Sequence, residues 1–176
     1  MDVRFINPFI GAIKNVFNTM LGTEILISKP RLKEPDEHFA DVTAIIGFSG
    51  EATGSVAICF PIKTGVNTAS KFVDSPVTQS DPEFADALGE LANMVAGQAK
   101  SKLEGFDVNI SLPRVVSGHG LQLLNSKTTP VLVLPCDSSL GRFSTEVTMV
   151  LSKQQAAPHS PRTSSPMDIA AAPARQ

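Results

Sequence analysis

The sequence predicts an α/β (α+β) domain in which two helix–extended–β-hairpin units, related by a pseudo-two-fold, form an antiparallel sheet packed against two long helices. Three observations predict this fold class: the apolar spacing of a long amphipathic helix, several strand-like runs rich in Val, Ile, Thr and Phe, and a six-residue motif that occurs twice. A chain of 176 residues, 42% of them hydrophobic, is long enough for one core, so we expect one domain.

The chain begins with an amphipathic helix over about residues 6–21. Its apolar positions recur at helical spacing; they are Phe5, Phe9, Ile13, Val16, Phe17 and Met20. An extended segment follows from Glu24 to Leu32. We then expect a hairpin with strands at about 39–48 and 53–60, joined by a turn at Ser49-Gly50-Glu51, and a short helix at about 62–73.

A second long helix is predicted over residues 81–104. Ser80 and Glu83 have the spacing of a capping box at its start, and Gly105 follows as a stop signal. One face is apolar, at Phe84, Leu88, Leu91, Val95 and Ala99. After this helix we expect an extended segment at 107–117, a loop containing Gly118 and Gly120, and strands within about 121–134 and 142–151.

The repeated motif links the two halves of the chain. Ile27-Ser-Lys-Pro-Arg-Leu32 reappears as Ile110-Ser-Leu-Pro-Arg-Val115. The same alignment places Gly22 opposite Gly105, and Phe5 opposite Leu88 on the apolar helix faces. Downstream, Thr53-Gly54 and Leu140-Gly141 are expected at similar places in the two hairpins. We infer two copies of one unit, packed as a pseudo-symmetric domain.

The second helix carries an acid–amide strip, defined here as Asp86, Glu90, Asn93 and Gly97. At about 100° per residue these positions fall within roughly 60° of one another, opposite the apolar face. The neighbours Ala87, Gly89 and Ala96 are small, which predicts room for another molecule. A solvated outer face of an ordinary surface helix is the alternative interpretation.

The first copy provides an internal control for this strip. Its helix has Val3, Asn7 and Ile10 at the positions of Asp86, Glu90 and Asn93. The scaffold therefore does not require those residue types. Asn and Gly are also poor residues for a helix interior, which favours a role other than helix stability.

Composition excludes several classes of function. A net charge of −2, with no basic cluster, Trp or Tyr, argues against nucleic-acid binding, and no apolar run reaches the ~18 residues of a membrane span. No secretory signal is visible at the N-terminus, so we expect a cytoplasmic protein. Cys59 and Cys136 are expected as small buried hydrophobes, and the three histidines lack metal-ligand spacing.

From residue 153 the composition shifts to Gln, Ala, Pro, Ser and Arg with no apolar period. We therefore predict a domain over residues 1–152 and a disordered C-terminal tail over 153–176.

The motif Asp86-x3-Glu90-x2-Asn93, on a long helix inside a duplicated domain, resembles the CheC/CheX/FliY phosphatases of bacterial chemotaxis. The resemblance covers about residues 1–152, and the single copy of the motif is similar to the CheX type. It implies a phosphatase that hydrolyses the aspartyl phosphate of a CheY-type response regulator. It implies further that Glu90 pairs with the regulator's active-site Lys and that Asn93 holds the attacking water.

The same resemblance implies that the protein has no cofactor of its own, that Mg²⁺ is supplied by the bound regulator, and that the protein is a homodimer joined at sheet edges. The role of Asp86 stays open: it orients Glu90, contacts the regulator, or serves the first turns of the helix. Two other functions remain as alternatives. One is a non-catalytic regulator-binding module of the same fold, similar to flagellar-switch components, and the other is an unrelated structural α/β protein.

Overall fold

The computed structural model describes residues 3–34, 37, 40–103, 105–121 and 129–152. Over these residues the chain forms three helices and eight strands. In chain order they are α1 (Val3–Leu21), β1 (Leu26–Ile27), β2 (Arg31–Leu32), β3 (Ala40–Gly50), β4 (Ala52–Phe60), α2 (Ile62–Val73), α3 (Pro82–Ser101), β5 (Val108–Ile110), β6 (Arg114–Leu121), β7 (Leu132–Asp137) and β8 (Phe143–Leu151). The predicted tail, residues 153–176, lies outside the described residues.

The strands form one antiparallel sheet in the order β1-β7-β8-β4-β3-β5, with β2 also paired to β7 and β6 to β3. This order is symmetric about the β8–β4 pair. Each hairpin is intact, but the short strands of each unit pair with the hairpin of the other unit. The topology confirms the predicted antiparallel sheet and duplicated plan, with the two units interlocked through their edges.

The two long helices share the core but fill it differently. Aligned through the repeated motif, Phe9 corresponds to Ala92 and Ile13 to Ala96, and all four are fully buried. The Phe9 ring packs edge-on against Phe48 with ring centroids 5.5 Å apart. Because α1 supplies the large side chains, α3 can approach closely with small ones.

The start of α3 differs from the predicted capping box. The N-cap is Asp81, not Ser80, and it makes no side-chain bond into the helix. Its carboxylate instead accepts hydrogen bonds from the backbone N–H (2.7 Å) and hydroxyl (2.8 Å) of Thr78. These bonds lower the pKa of Asp81. They form because an Asp side chain satisfies a preceding turn as readily as a helix end.

The end of α3 is also earlier than predicted. The helix stops at Ser101, where the N–H of Lys102 bonds the carbonyl of Ala99 in a tightened last turn. Gly105 adopts a positive φ of 81° just beyond, so it turns the chain without being the helix stop.

The predicted loop around Gly118 is wrong, because this residue lies within β6. Among the described residues β6 pairs only with β3, which makes it an edge strand, and glycine is tolerated there. The predicted match of Gly54 with Gly141 is wrong as well. Gly54 lies inside β4, where a Cβ would meet the carbonyl of Thr148, whereas Gly141 lies in the β7–β8 turn with φ 128°.

Both cysteines are buried and free, as predicted. Burial raises the pKa of each thiol to about 12, so both are thiols rather than thiolates at neutral pH. In the part of the chain that the structure describes, no helix is long and apolar enough to cross a membrane.

Candidate functional site

The acid–amide strip lies on α3 as its spacing predicted. Asp86 and Glu90 are exposed, and Asn93 and Gly97 are half-buried. Within the described residues, none of the side chains of Asp86, Glu90 and Asn93 makes a hydrogen bond or an ion pair. Since unpaired polar groups at a surface are solvated and free to exchange partners, these three are available to another molecule.

Two of the three small neighbours do not provide the room that was predicted. Ala87 is 3% exposed and Ala96 is fully buried, because helix α3 is covered by α1, α2 and β3. Gly89 is buried as well but lines an open groove next to Asp86 and Glu90. A Cβ at Gly89 would lie 3.5 Å from Val115 Cγ2.

Gly97 is different, because a Cβ there would meet nothing within 4 Å. Its φ is also not in the left-handed region. Among the described residues, neither packing nor backbone conformation therefore requires glycine at this position, although glycine in a helix interior costs up to ~1 kcal/mol relative to Ala.

A groove runs beside the strip, between α3 and the start of β6. One wall carries the carboxylates of Asp86 and Glu90, and the opposite wall is apolar, with Pro113 and Val115. Sequence reasoning missed this apolar wall, although both residues belong to the repeated motif. The motif held no signal for the wall, because the first copy has the apolar residues Pro30 and Leu32 at the same two positions.

The first copy lacks such a site in the structure as well. Asn7, at the position of Glu90, is exposed, and Ile10, at the position of Asn93, is packed against the core. The acid–amide strip is therefore confined to α3.

The side chains of the strip can hold other groups in place but do not form a metal site. Among the described residues there is no group of three or more His, Cys, Asp or Glu side chains that could hold a metal ion. Two carboxylates can accept hydrogen bonds from a cation, and a carboxamide both donates and accepts. Such a set can pair with a basic group of a partner and can hold a water molecule at a defined point.

Comparisons with known proteins agree on one family. Residues 42–137, which include the whole strip, match the family model "Chemotaxis phosphatase CheX". The chain is 33% identical over 126 residues to the "CheY-P phosphatase CheX" of Thermotoga maritima, an alignment that covers 70% of this chain and 81% of that protein.

Solved structures give the same result. A CheC-like superfamily protein from Shewanella sp. PV-4 superposes with a TM-score of 0.78 at 32% identity, over 85% of this chain and 99% of the other. The chain is also similar to the CheX–CheY–BeF3–Mg²⁺ complex from Borrelia burgdorferi, with a TM-score of 0.72 at 28% identity, over 82% of this chain and 97% of the matched chain.

Proposed function

The chain belongs to the CheX family of chemotaxis phosphatases, and we propose that Glu90 and Asn93 carry its activity on the aspartyl phosphate of a CheY-type response regulator. One observation supports this assignment above all. The two side chains lie one turn apart on the outer face of α3, and neither is engaged within the described residues.

Asn93 is proposed to position the attacking water. An aspartyl phosphate is an activated acyl phosphate, and its hydrolysis needs a water in line with the leaving carboxylate oxygen. The water oxygen bonds to phosphorus, the phosphorus–oxygen bond to the aspartyl group breaks, and inorganic phosphate and a free carboxylate result. A carboxamide can hold the water without acting as a strong base, and positioning is the main contribution in phosphoryl transfer.

Glu90 is proposed to pair with the active-site Lys of the regulator. Its carboxylate is exposed, lies one turn before Asn93, and has no ion-pair partner within the described residues. Such a pair would orient the regulator so that the Asn93 amide meets the phosphate. Asp86, one turn earlier in the same groove wall, is proposed to contact the regulator's surface.

Magnesium is proposed to arrive with the regulator. The similar complex from Borrelia burgdorferi contains CheY, BeF3 and Mg²⁺ together. The described residues of this chain offer no cluster of metal ligands at the strip, which fits an ion bound mainly by the partner.

A docking module that binds the regulator without hydrolysis is the second candidate function. Its supporting observation is the groove itself, since a docking surface needs the carboxylates and the apolar wall but not the amide. Asn93 distinguishes the two functions, because hydrolysis needs its amide and docking does not.

The test is phosphate release from a phosphorylated CheY-type regulator. We expect the wild-type protein to accelerate release and Asn93→Ala to lower kcat about 100-fold, because the water loses its position. Asn15→Ala, an exposed amide on α1, is the matched control and should retain full activity. Binding without acceleration by the wild-type protein would establish the docking module instead.

Glu90→Ala is tested in the same phosphate-release assay. We expect kcat/KM to fall while the free energy of unfolding changes by less than about 0.5 kcal/mol, as is usual for an exposed position. Strong destabilisation by this substitution would assign Glu90 a structural role.

A homodimer joined at a sheet edge and a reducing, cytoplasmic setting also remain proposals. Edge strands present unpaired backbone groups, and both edges carry exposed apolar residues, Leu26 and Leu32 at one and Val116 at the other. The two buried free thiols support the reducing setting.

A further inference from the structure

The groove beside the acid–amide strip is bordered by an exposed apolar side chain. Leu112 directly precedes Pro113, which lines the groove, and Leu112 is 86% exposed. Consecutive Cα atoms lie about 3.8 Å apart, so the backbone of Leu112 adjoins the apolar wall. At this exposure its side chain contributes almost nothing to the core.

The repeat shows that the fold does not require an apolar residue here. In the first copy the same position of the motif is Lys29, which is exposed. The turn therefore accepts a charged, solvated side chain within this same protein. Folding therefore does not select Leu at this position.

The backbone around Leu112 is held more firmly than its counterpart. The N–H of Ser111 donates to the carbonyl of Gly47 (2.9 Å), and the N–H of Gly47 donates to the hydroxyl of Ser111 (2.9 Å). That hydroxyl in turn donates to the carbonyl of Leu112 (2.9 Å).

In the first copy the N–H of Ser28 donates to the carbonyl of Pro135 (2.9 Å). Pro135 has no N–H to return the second bond. In the part of the chain that the structure describes, a reciprocal pair of bonds thus holds this turn in the second copy and not in the first. A side chain presented on a fixed backbone loses less conformational freedom on binding.

A specific interface is wider than the groove. A standard protein interface covers about 800 Å² on each side, equivalent to a patch roughly 16 Å in radius. A patch of this size around the strip extends beyond the two groove walls, which carry Glu90 and Pro113, and Leu112 is the residue next to Pro113.

We propose that Leu112 is a docking residue for the phosphorylated response regulator. Together with Pro113 and Val115 it packs against an apolar patch that flanks the regulator's phosphorylation site, while Glu90 faces the regulator's basic group. This inference rests on the proposed function, and it assigns to Leu112 affinity for the regulator rather than a part in hydrolysis.

The test compares Leu112→Lys, which installs the residue type of the first copy, with the wild-type protein over a range of phosphorylated regulator concentrations. We expect KM to rise about tenfold, equivalent to about 1.4 kcal/mol of binding free energy, and kcat to stay within about twofold. Leu112→Ala should raise KM in the same direction by less, and both variants should keep the wild-type melting temperature.

Leu151→Lys is the matched control, because Leu151 is 51% exposed at the end of the central strand β8, away from both sheet edges. Its KM should equal that of the wild-type protein. An unchanged KM for Leu112→Lys, or an equal rise for Leu151→Lys, would overturn the inference.

A binding titration separates this inference from the proposed function. The regulator is loaded with beryllofluoride and Mg²⁺, which mimic the phosphoryl group without turnover, and Kd is measured by calorimetry. If the wild-type protein binds but does not hydrolyse, the proposed function fails, and a tenfold weaker Kd for Leu112→Lys still supports docking through Leu112. If the wild-type protein does not bind, both fail.

Discussion

The two halves of this molecule share a scaffold and divide its tasks. Helix α1 supplies bulk to the core, through Phe9 and Ile13, where α3 has Ala92 and Ala96 at the aligned positions. Helix α3 carries the acid–amide strip, where α1 has Asn7 and the core-packed Ile10. The difference teaches that a duplicated fold can assign stability to one copy and surface chemistry to the other, because packing constrains inward positions and leaves outward ones free.

The largest expected effect is on the free energy of unfolding and concerns the large core side chains of α1. Phe9→Ala should lower the free energy of unfolding by about 3–5 kcal/mol, since it removes a fully buried ring that packs on Phe48. Ala92→Gly, at the aligned position of α3, should cost only about 1 kcal/mol, mainly through helix propensity. Urea denaturation of both variants measures the contrast, and equal losses would contradict it.

A smaller effect is expected on activity and concerns Gly97 on the outer face of α3. Gly97→Ala should stabilise the protein by up to about 1 kcal/mol, because the new methyl group meets nothing within 4 Å. The same methyl group should lower kcat/KM for the phosphorylated regulator several-fold, because it occupies the path of the partner.

Gly11→Ala is the matched change on α1. Its Cβ would lie 3.3 Å from the Nζ of Lys102, a mobile group that can shift, so it should be tolerated with unchanged activity. If Gly97→Ala leaves kcat/KM unchanged, the partner does not approach α3 closely at this point.

The smallest expected effect concerns the start of α3. Hydrogen bonds from the backbone and hydroxyl of Thr78 hold the pKa of Asp81 below its ordinary value. A carboxylate with a lowered pKa in the folded state contributes stability above its unfolded pKa, and loses it as the pH falls through the folded pKa. Helix α1 has no acidic residue in its first turn.

Asp81→Asn should therefore reduce the melting temperature slightly at neutral pH, and the difference from the wild-type protein should shrink in acid. Thermal unfolding followed at a series of pH values below 5 measures this. A difference that grows as the pH falls would contradict the sign of the shift.

Much of the fold could be predicted because its signals are local. The apolar spacing of α3 and the short helix at residues 62–73 follow from periodicity alone, and the latter is observed as Ile62–Val73. The glycines of β6 were misread as a loop, because their strand conformation comes from pairing with β3, a contact distant in sequence. Which strands meet at the sheet edges is equally a tertiary property.

The candidate site was predicted in part for the same reason. The strip follows from spacing within one helix, whereas the apolar wall of the groove depends on how β6 lies against α3. The small residues Ala87 and Ala96 were assigned to an open surface because the sequence does not reveal that α1 and α2 both cover α3. The domain boundary near residue 152 stays a prediction.

The interlocked strand order delays completion of the groove during folding. The groove is built from residues of the second half, yet β6, which forms its far wall, is held by β3 from the first half, as in the pairing of Ile45 with Arg114. At the centre of the sheet Ala57 pairs with Glu146, a contact that closes a long loop and slows folding. A ribosome-bound chain that has emerged only as far as α3 therefore contains Glu90 and Asn93, the proposed catalytic residues, but not yet β6, which forms the opposite wall of the groove.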